Sequence, residues 1–161
     1  MGLDITAIRQ ARFVRFTLND EEDYDWLTQI HIYANAGFPD RAVPMRDNGL
    51  YEYAEIFTFR AGSYSGYNHW REQLTRLMLN TSPERIWESP DTFAGRPFVE
   101  LIDFSDCEGT IGTTAARKLA KDFQDCQGHA DKVSDEYFQE LYRQWRKAFE
   151  MAADEGCVKF H

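Results

Sequence analysis

Apolar and polar positions alternate along much of the first sixty residues, which is the pattern of strands that bury one face. Leu3 and Ile5 alternate with polar neighbours at the start of the chain, and later segments are rich in β-branched and aromatic residues. Between residues 51 and 59 most odd-numbered positions are aromatic. These patterns predict four strands, near residues 3–7, 12–17, 30–33 and 51–59.

The polar segments between these strands predict turns and loops. An acidic break at residues 19–23 separates the second strand from the third. Residues 21–27 are predicted to form a short helical turn with Trp26 and Leu27 facing inward. Residues 36–50 contain two prolines, two glycines and an Asp-Asn-Gly turn signal, so this stretch is predicted to be a loop.

A helical periodicity replaces the alternation in the second half of the chain. Apolar residues recur every three or four positions, which places them on one stripe of a helix. Ser134 is the expected N-cap of the last helix, and Gly156 is expected to end it. The pattern predicts three longer helices, lined by Tyr67, Trp70, Leu74, Leu77 and Met78, by Ala116, Leu119, Ala120 and Phe123, and by Phe138, Leu141, Trp145, Phe149 and Ala152.

Two further strands are predicted in this half. The apolar run at residues 98–104 predicts a strand, and residues 157–160 predict a short closing strand. Strands and helices do not follow each other in a regular βαβ rhythm. We therefore expect an α+β fold, one domain over residues 1–161, with a mostly antiparallel sheet packed by about three helices.

Charge and cysteine content limit the classes of function. The formal net charge is −9, whereas a nucleic-acid-binding protein normally needs a basic surface, so we expect no nucleic-acid partner. Three cysteines without a C-x-x-C pair predict neither a disulfide framework nor a zinc ribbon, and they favour a reducing cytoplasm. No segment reads as a signal peptide or approaches membrane length, so we expect no membrane association.

Aromatic residues make up 15% of the chain, a high share that has two explanations. Rings at core-like spacings predict a core rich in aromatic packing, which is the explanation we favour. The alternative is an interaction patch of exposed aromatic side chains, formed by Tyr51, Tyr53, Tyr64 and Tyr67 beside Trp70.

The acidic loop, residues 103–108, has the most varied chemistry in the chain. A sheet edge that leads into a helix N-terminus commonly holds a binding site, and this loop lies between a predicted strand and a predicted helix. Asp103, Asp106 and Glu108 are the candidate ligands of a divalent cation. Their spacing does not match an EF-hand, and carboxylates before a helix also stabilise its N-terminus without any ligand. We predict no cofactor.

Cys107 is the candidate nucleophile in the same loop, with His31 or His69 as its base. The flanking carboxylates of Asp106 and Glu108 disfavour the thiolate, whereas the helix N-terminus that follows favours it. No cysteine–histidine motif surrounds this residue. We therefore expect an inert, partly buried thiol and no catalytic residue.

Residues 61–71 connect a predicted strand to a predicted helix, as nucleophile elbows and phosphate loops do. Tyr64 occupies the position where an elbow requires serine, and no Gly-Lys-Ser/Thr follows to make a phosphate loop. Two interpretations remain. One is a glycine turn with a serine cap, which we favour, and the other is a small-anion site in which Arg71 assists free backbone N–H groups.

Three segments, in order along the chain, carry a family resemblance. They are MGLDITA at residues 1–7, AGSYSGY at residues 61–67 and FSDCEGTIG at residues 104–112. Together they resemble a group of small, uncharacterised proteins encoded by bacteriophages and prophages. The resemblance implies a bacterial cytoplasm and a phage setting. It brings no known reaction, so no catalytic residue can be carried over.

The sequence favours an accessory protein that binds an unidentified host or phage protein and has no catalytic activity. The first alternative is a small enzyme or ligand-binding domain that uses the loop Asp106-Cys107-Glu108-Gly109 with a divalent cation. The second alternative is a self-associating structural component. The residues expected to bind the partner are Tyr64, Tyr67, Arg71, Asp106 and Glu108.

Overall fold

Two antiparallel sheets form the framework of the fold. The computed structural model describes residues 1–17 and 24–161, so the acidic break predicted at residues 19–23 lies outside the described residues. The larger sheet has four strands, in the spatial order β5 (Glu55–Ser63), β1 (Gly2–Arg9), β7 (Cys157–Phe160) and β6 (Gly109–Ile111). The smaller sheet has three, in the order β2 (Arg12–Phe16), β4 (Gly49–Glu52) and β3 (Gln29–Ile32).

Seven α-helices connect and cover these strands in the described residues. The three long ones are α1 (Tyr64–Leu79), α5 (Thr113–Asp125) and α7 (Glu136–Ala152). The short ones are α2 (Pro83–Glu88), α3 (Pro90–Phe93), α4 (Val99–Ile102) and α6 (Gln127–Ala130), and a 3-10 helix covers Pro39–Ala42. The α+β class with antiparallel pairing is therefore confirmed, although the strands form two sheets.

The long helices pack on the face of β1 that the alternation predicted to be buried. Leu3, Ile5 and Ala7 are fully buried there, in the same cluster as the apolar stripes of the three helices. Aromatic rings fill much of this core, and the Trp70 and Trp145 rings stack at a centroid distance of 6.0 Å. Helical periodicity thus located the faces that build the core.

The prediction of a strand at residues 98–104 is wrong, because this run forms the short helix α4. Phe98 has a φ of 64°, and its N–H donates to Asp122 Oδ2 at 3.0 Å. Its carbonyl then accepts from the N–H of Ile102 at 2.9 Å. Leu101 and Ile102 are both fully buried. Glu100 and Asp103 are partly exposed and lie three positions apart, which fits a helix, whereas the polar positions of a half-buried strand recur every two residues.

The single strand predicted at residues 51–59 is two strands in two different sheets. β4 ends at Glu52, and β5 begins at Glu55. Between them the N–H of Ala54 donates to the carbonyl oxygen of Arg9 at 3.0 Å, where the chain crosses to the larger sheet. The aromatic alternation continues through the crossing, so the break left no mark in the pattern.

The N-cap of α7 is Asp135 and not the predicted Ser134. Its side-chain oxygen accepts hydrogen bonds from the backbone N–H groups of Tyr137 and Phe138. A hydrogen bond from Gln73, followed by these backbone bonds, lowers the pKa of Asp135. Either residue type caps a helix well, so only the backbone geometry decides between the neighbours.

Candidate functional site

The acidic loop is held by hydrogen bonds within the protein. It follows α4 and leads into β6. The Ser105 hydroxyl accepts from the N–H groups of Cys107 and Glu108, both at 3.2 Å. From outside the loop, Asn35 Nδ2 donates to the Glu108 carbonyl oxygen at 2.9 Å. The loop therefore has a defined conformation that a local serine turn and one distant amide maintain.

Two of the predicted binding residues, Arg71 and Asp106, are joined at one end of this loop. Arg71 Nη1 donates to the carbonyl oxygens of Ile102 at 3.1 Å and Phe104 at 2.8 Å. Its Nη2 donates to Asn68 Oδ1 at 2.5 Å, and Asn68 Nδ2 donates to Asp106 Oδ2 at 2.8 Å. Arg71 therefore supplies partners to carbonyl groups at and just beyond the end of a short helix. Sequence reasoning missed Asn68, which joins the two residues.

Tyr67 and Arg71 are buried, so neither is presented to a partner. Tyr67 is 0% exposed and Arg71 is 3% exposed. The guanidinium carbon of Arg71 lies 5.1 Å from the Tyr67 ring centroid and 5.2 Å from that of Trp87. Burial raises the pKa of Tyr67 to about 12, against the opposing effect of the Arg71 charge. This pair stabilises the core beside the acidic loop.

The exposed aromatic patch, which was the alternative to the favoured aromatic core, does not form. Tyr51, Tyr67 and Trp70 are buried, because each lies on the inward face of its strand or helix. Tyr64 is half-buried and packs against the main core. Among the residues predicted to bind a partner, Glu108 is the one that is exposed.

The three candidate metal ligands do not converge on one point. In residues 1–17 and 24–161 there is no group of three His, Cys, Asp or Glu side chains that could hold a metal ion. Asp106 is hydrogen-bonded to Asn68. Burial raises the pKa of Asp103, and the charges of Arg41 and Arg71 act in the opposite direction. Two nearby guanidinium groups make the surroundings of Asp103 unfavourable for a dication.

Cys107 is exposed, contrary to the partly buried thiol that we expected. Its Sγ lies 3.3 Å from the hydroxyl oxygen of Ser105, so a hydroxyl and not an imidazole is its neighbour. The ring of His31 instead hydrogen-bonds Asn48, with 3.2 Å between Nε2 and Oδ1. The arrangement with His31 as the base of Cys107 therefore has no geometric support.

The N-terminus of α5, which the sequence marked as a place for a ligand, is occupied by the protein itself. The N–H of Gly112 donates to the Arg41 carbonyl at 2.8 Å, and that of Thr114 donates to the Val43 carbonyl at 3.3 Å. A Cβ on Gly112 would lie 2.1 Å from the Ala42 carbonyl oxygen. The chain around residues 41–43 thus packs directly on the helix terminus and accepts hydrogen bonds from two of its N–H groups.

A cavity of about 580 Å³ lies beside this terminus, between the 3-10 helix and α5. Lys118 lines it and makes ion pairs with Glu100 and Asp122, both at 2.7 Å. Arg41, also in its wall, donates to the carbonyl oxygens of Glu100 and Asp103. Internal partners therefore already engage both cations of the cavity wall.

Two large apolar side chains are exposed where the sequence predicted that they would face inward. Trp26 is 74% exposed and Leu27 is 68% exposed. They lie on the apolar turn, residues 25–28, which immediately precedes β3. A tryptophan and a leucine in sequence do not reveal their direction when no periodic pattern surrounds them.

The apolar turn is fixed from within and from the smaller sheet. Asp25 accepts hydrogen bonds at its carboxylate from the N–H of Leu27 at 3.1 Å and from the hydroxyl of Thr28 at 2.9 Å. Its carbonyl accepts from the N–H of Gln29 at 2.8 Å. Tyr53 donates its hydroxyl to the Leu27 carbonyl at 3.3 Å. The Asp25-x-x-Thr28 spacing was the available signal of such a turn.

No protein-family model, no curated protein and no solved structure matches this chain. In residues 1–17 and 24–161, every helix is too short or too polar to span a lipid bilayer. The side chains of this protein are therefore the basis on which a function can be proposed.

Proposed function

We propose that this protein acts by binding another protein, and that the apolar turn is the centre of the contact. One observation carries the proposal: Trp26 and Leu27 are adjacent, mostly exposed and mounted on a turn whose backbone is fixed by hydrogen bonds. Exposed apolar surface is unfavourable in water by about 25 cal/mol per Å². Covering two such side chains is a direct source of binding free energy.

The kind of residue and the way it is presented both support this role. Tryptophan is enriched among the residues that dominate binding energy in protein interfaces, and it contacts a large area with few rotatable bonds. The carboxylate of Asp25 holds the turn before any partner arrives. A preorganised turn loses little conformational entropy on binding.

The partner that we propose is a host or phage protein with an apolar pocket, in a bacterial cytoplasm. The phage setting comes from the three segments that resemble phage and prophage proteins. A net charge of −9 disfavours nucleic acid as the partner, because phosphates would be repelled. We propose no catalytic step, since Asp106 is hydrogen-bonded to Asn68 and the neighbour of the Cys107 thiol is the Ser105 hydroxyl.

Affinity capture with a matched pair of variants tests this function. A tagged Trp26→Ala/Leu27→Ala chain is compared with wild type and with a Leu77→Ala/Tyr137→Ala chain, whose residues are 39% and 50% exposed elsewhere. We expect a stoichiometric partner from bacterial lysate that the control retains and the turn variant loses. Purified partner should then bind wild type at least about tenfold more tightly than the turn variant.

Three results would contradict the proposal. Equal loss in both variants would indicate a general effect of removing exposed apolar groups. Equal retention would place the contact elsewhere on the surface. Loss of the partner on substitution of Asp106 and Glu108, but not of Trp26, would place the binding site at the acidic loop.

A further inference from the structure

β5 is the outer strand of the larger sheet, and in residues 1–17 and 24–161 no strand pairs with its other side. It is nine residues long and pairs with β1 on one side, at the end of the strand order. Residues 55–60 match residues 4–9 one to one, and the register shift lies beyond them, at Ala61. An outer strand presents a row of unpaired N–H and C=O groups, which is a template for another strand.

The usual means of protecting such an edge are missing from the middle of β5. Natural edges are shortened, bulged, or interrupted by lysine or proline. Residues 56–59 read Ile-Phe-Thr-Phe, without charge, glycine or proline. Ile56 is 46% exposed, and Phe57 and Phe59 are half-buried. By contrast, β6 at the opposite edge has three residues, all buried, and its Thr110 hydroxyl donates to the Tyr33 carbonyl at 2.7 Å.

The residues of β5 are complementary to a second, antiparallel copy of themselves. A two-fold axis perpendicular to the sheet keeps every side chain on its own face, so residues of the same parity meet. With the axis at Thr58, Phe57 of each copy lies opposite Phe59 of the other. On the other face Thr58 meets Thr58, and Ile56 meets Arg60. Aromatic pairs and threonine pairs are favourable cross-strand neighbours, and no like charges are opposed.

Charge near this edge also permits a second copy to approach. The whole chain carries −9, so two copies repel each other over most of their surface. Around β5 two arginines form ion pairs with three carboxylates, Arg9 with Glu55 and Asp154, and Arg60 with Asp4. Lys147 lies over the Phe57 ring at 4.2 Å and adds a positive charge. The edge is therefore free of the negative excess that the rest of the chain carries.

We propose that two copies of this protein pair through β5, antiparallel and centred on Thr58, and join their four-stranded sheets into one continuous sheet. This self-pairing is independent of the proposed partner contact, because Trp26 and Leu27 belong to a turn of the smaller sheet. A dimer would present two apolar turns at once, and two linked contacts raise the apparent affinity for a repeated partner.

Charge substitution at the proposed axis tests both the pairing and its register. Sedimentation velocity measures the mass of wild type from micromolar to millimolar concentration. T58K and T58E chains are measured alone and as an equimolar mixture. A V14K chain is the control, since Val14 is an exposed strand residue of the smaller sheet.

We expect the wild-type mass to rise with concentration toward two copies. T58K and T58E each place like charges opposite each other and should weaken self-association by about fivefold or more, whereas V14K leaves it unchanged. The mixture should recover the dimer as a mixed species, because opposite charges then meet at the axis. Recovery also shows that both variants are folded.

Three outcomes would overturn the proposal. A wild-type mass of one copy at every concentration excludes the dimer. A dimer that tolerates T58K as well as V14K forms through another surface. Variants that dissociate alone but do not recover when mixed exclude the register centred on Thr58.

Discussion

The acidic loop and the apolar turn differ in the use that the protein makes of their side chains. The loop contains carboxylates, a thiol and a hydroxyl, yet Ser105, Asn35 and Asn68 engage its backbone and the Asp106 carboxylate. The apolar turn has neither a thiol nor a cluster of carboxylates, but it directs Trp26 and Leu27 into solvent. Variety of chemical groups in a sequence is therefore not the same as availability of those groups for binding.

The difference has a physical cause in the backbone. The loop joins a short helix to a short strand, so many N–H and C=O groups lie near the core and need partners. Arg71 and the loop's own side chains supply them. The apolar turn lies at the surface, where Asp25 forms the hydrogen bonds that hold the backbone. The side chains of Trp26 and Leu27 are therefore not needed to hold the turn and extend into solvent.

The largest effect is expected from a substitution where the chain packs on α5. A Gly112→Ala side chain would overlap the Ala42 and Val43 carbonyl oxygens, so the unfolding free energy should fall by about 3 kcal/mol. Gly128→Ala is the control, because nothing lies within 4 Å of its added Cβ. That change should be neutral or stabilising by up to about 1 kcal/mol. Urea denaturation measures both, and equal effects would show that the contact is loose.

The next effect concerns the arginine under the acidic loop. Arg71→Met leaves the Phe104 carbonyl without its hydrogen bond in the interior, which should cost about 2 to 3 kcal/mol of unfolding free energy. Arg76→Met on the same helix removes an exposed pair with Glu72 and should cost less than about 0.5 kcal/mol. Thermal unfolding of both variants compares them. A small loss at Arg71 would contradict the assignment, because it would mean that the bonds to the Ile102 and Phe104 carbonyls contribute little to stability.

A smaller effect is expected from alkaline pH. The pKa of Tyr67 is raised to about 12 by burial, from an ordinary value of 10.0. Its ionisation therefore favours the unfolded chain, so the stability is fully present below pH 10 and is lost as pH rises toward 12. At pH 11 the loss should be about 1.4 kcal/mol. Tyr67→Phe should reduce the difference in stability between pH 8 and pH 11, and an unchanged difference would contradict the assignment.

The smallest effect is expected at the thiol of the acidic loop. Cys107→Ser removes an exposed atom and should change the unfolding free energy by less than about 0.5 kcal/mol. In wild type Cys107 should be alkylated first and Cys157 last, because Cys157 is buried and its pKa is raised to about 12. Mass spectrometry of a timed alkylation gives the order. Fast modification of Cys157 would show that the core opens readily.

The sequence predicted the elements with a clear period and missed those without one. The alternation of Leu3 and Ile5 correctly predicted the position of β1, and the apolar stripe of α7 correctly predicted which face of that helix is buried. The helix at residues 99–102 was missed because its two polar positions, Glu100 and Asp103, give only one interval of helical spacing in a short apolar run. The direction of Trp26 was missed because it depends on tertiary contacts such as the bond from Tyr53.

Site prediction failed for a related reason. Tyr67 and Arg71 belong to a motif with glycines and serines that is typical of binding loops. A sequence does not show that an arginine will bond to carbonyl groups 31 and 33 residues away. Asn68 had no feature that distinguished it, although it joins Arg71 to Asp106. Residues that link distant segments become visible only when the fold brings them together.

The central claim is that the apolar turn contacts a partner protein, and photo-crosslinking tests it most directly. A photoreactive amino acid is placed at position 26 in one tagged chain and at position 137, an exposed tyrosine on α7, in another. Both chains are irradiated in living bacteria that contain a phage or prophage. We predict one discrete adduct of higher mass from position 26 and none from position 137. No adduct from position 26, or the same adducts from both positions, would contradict the claim.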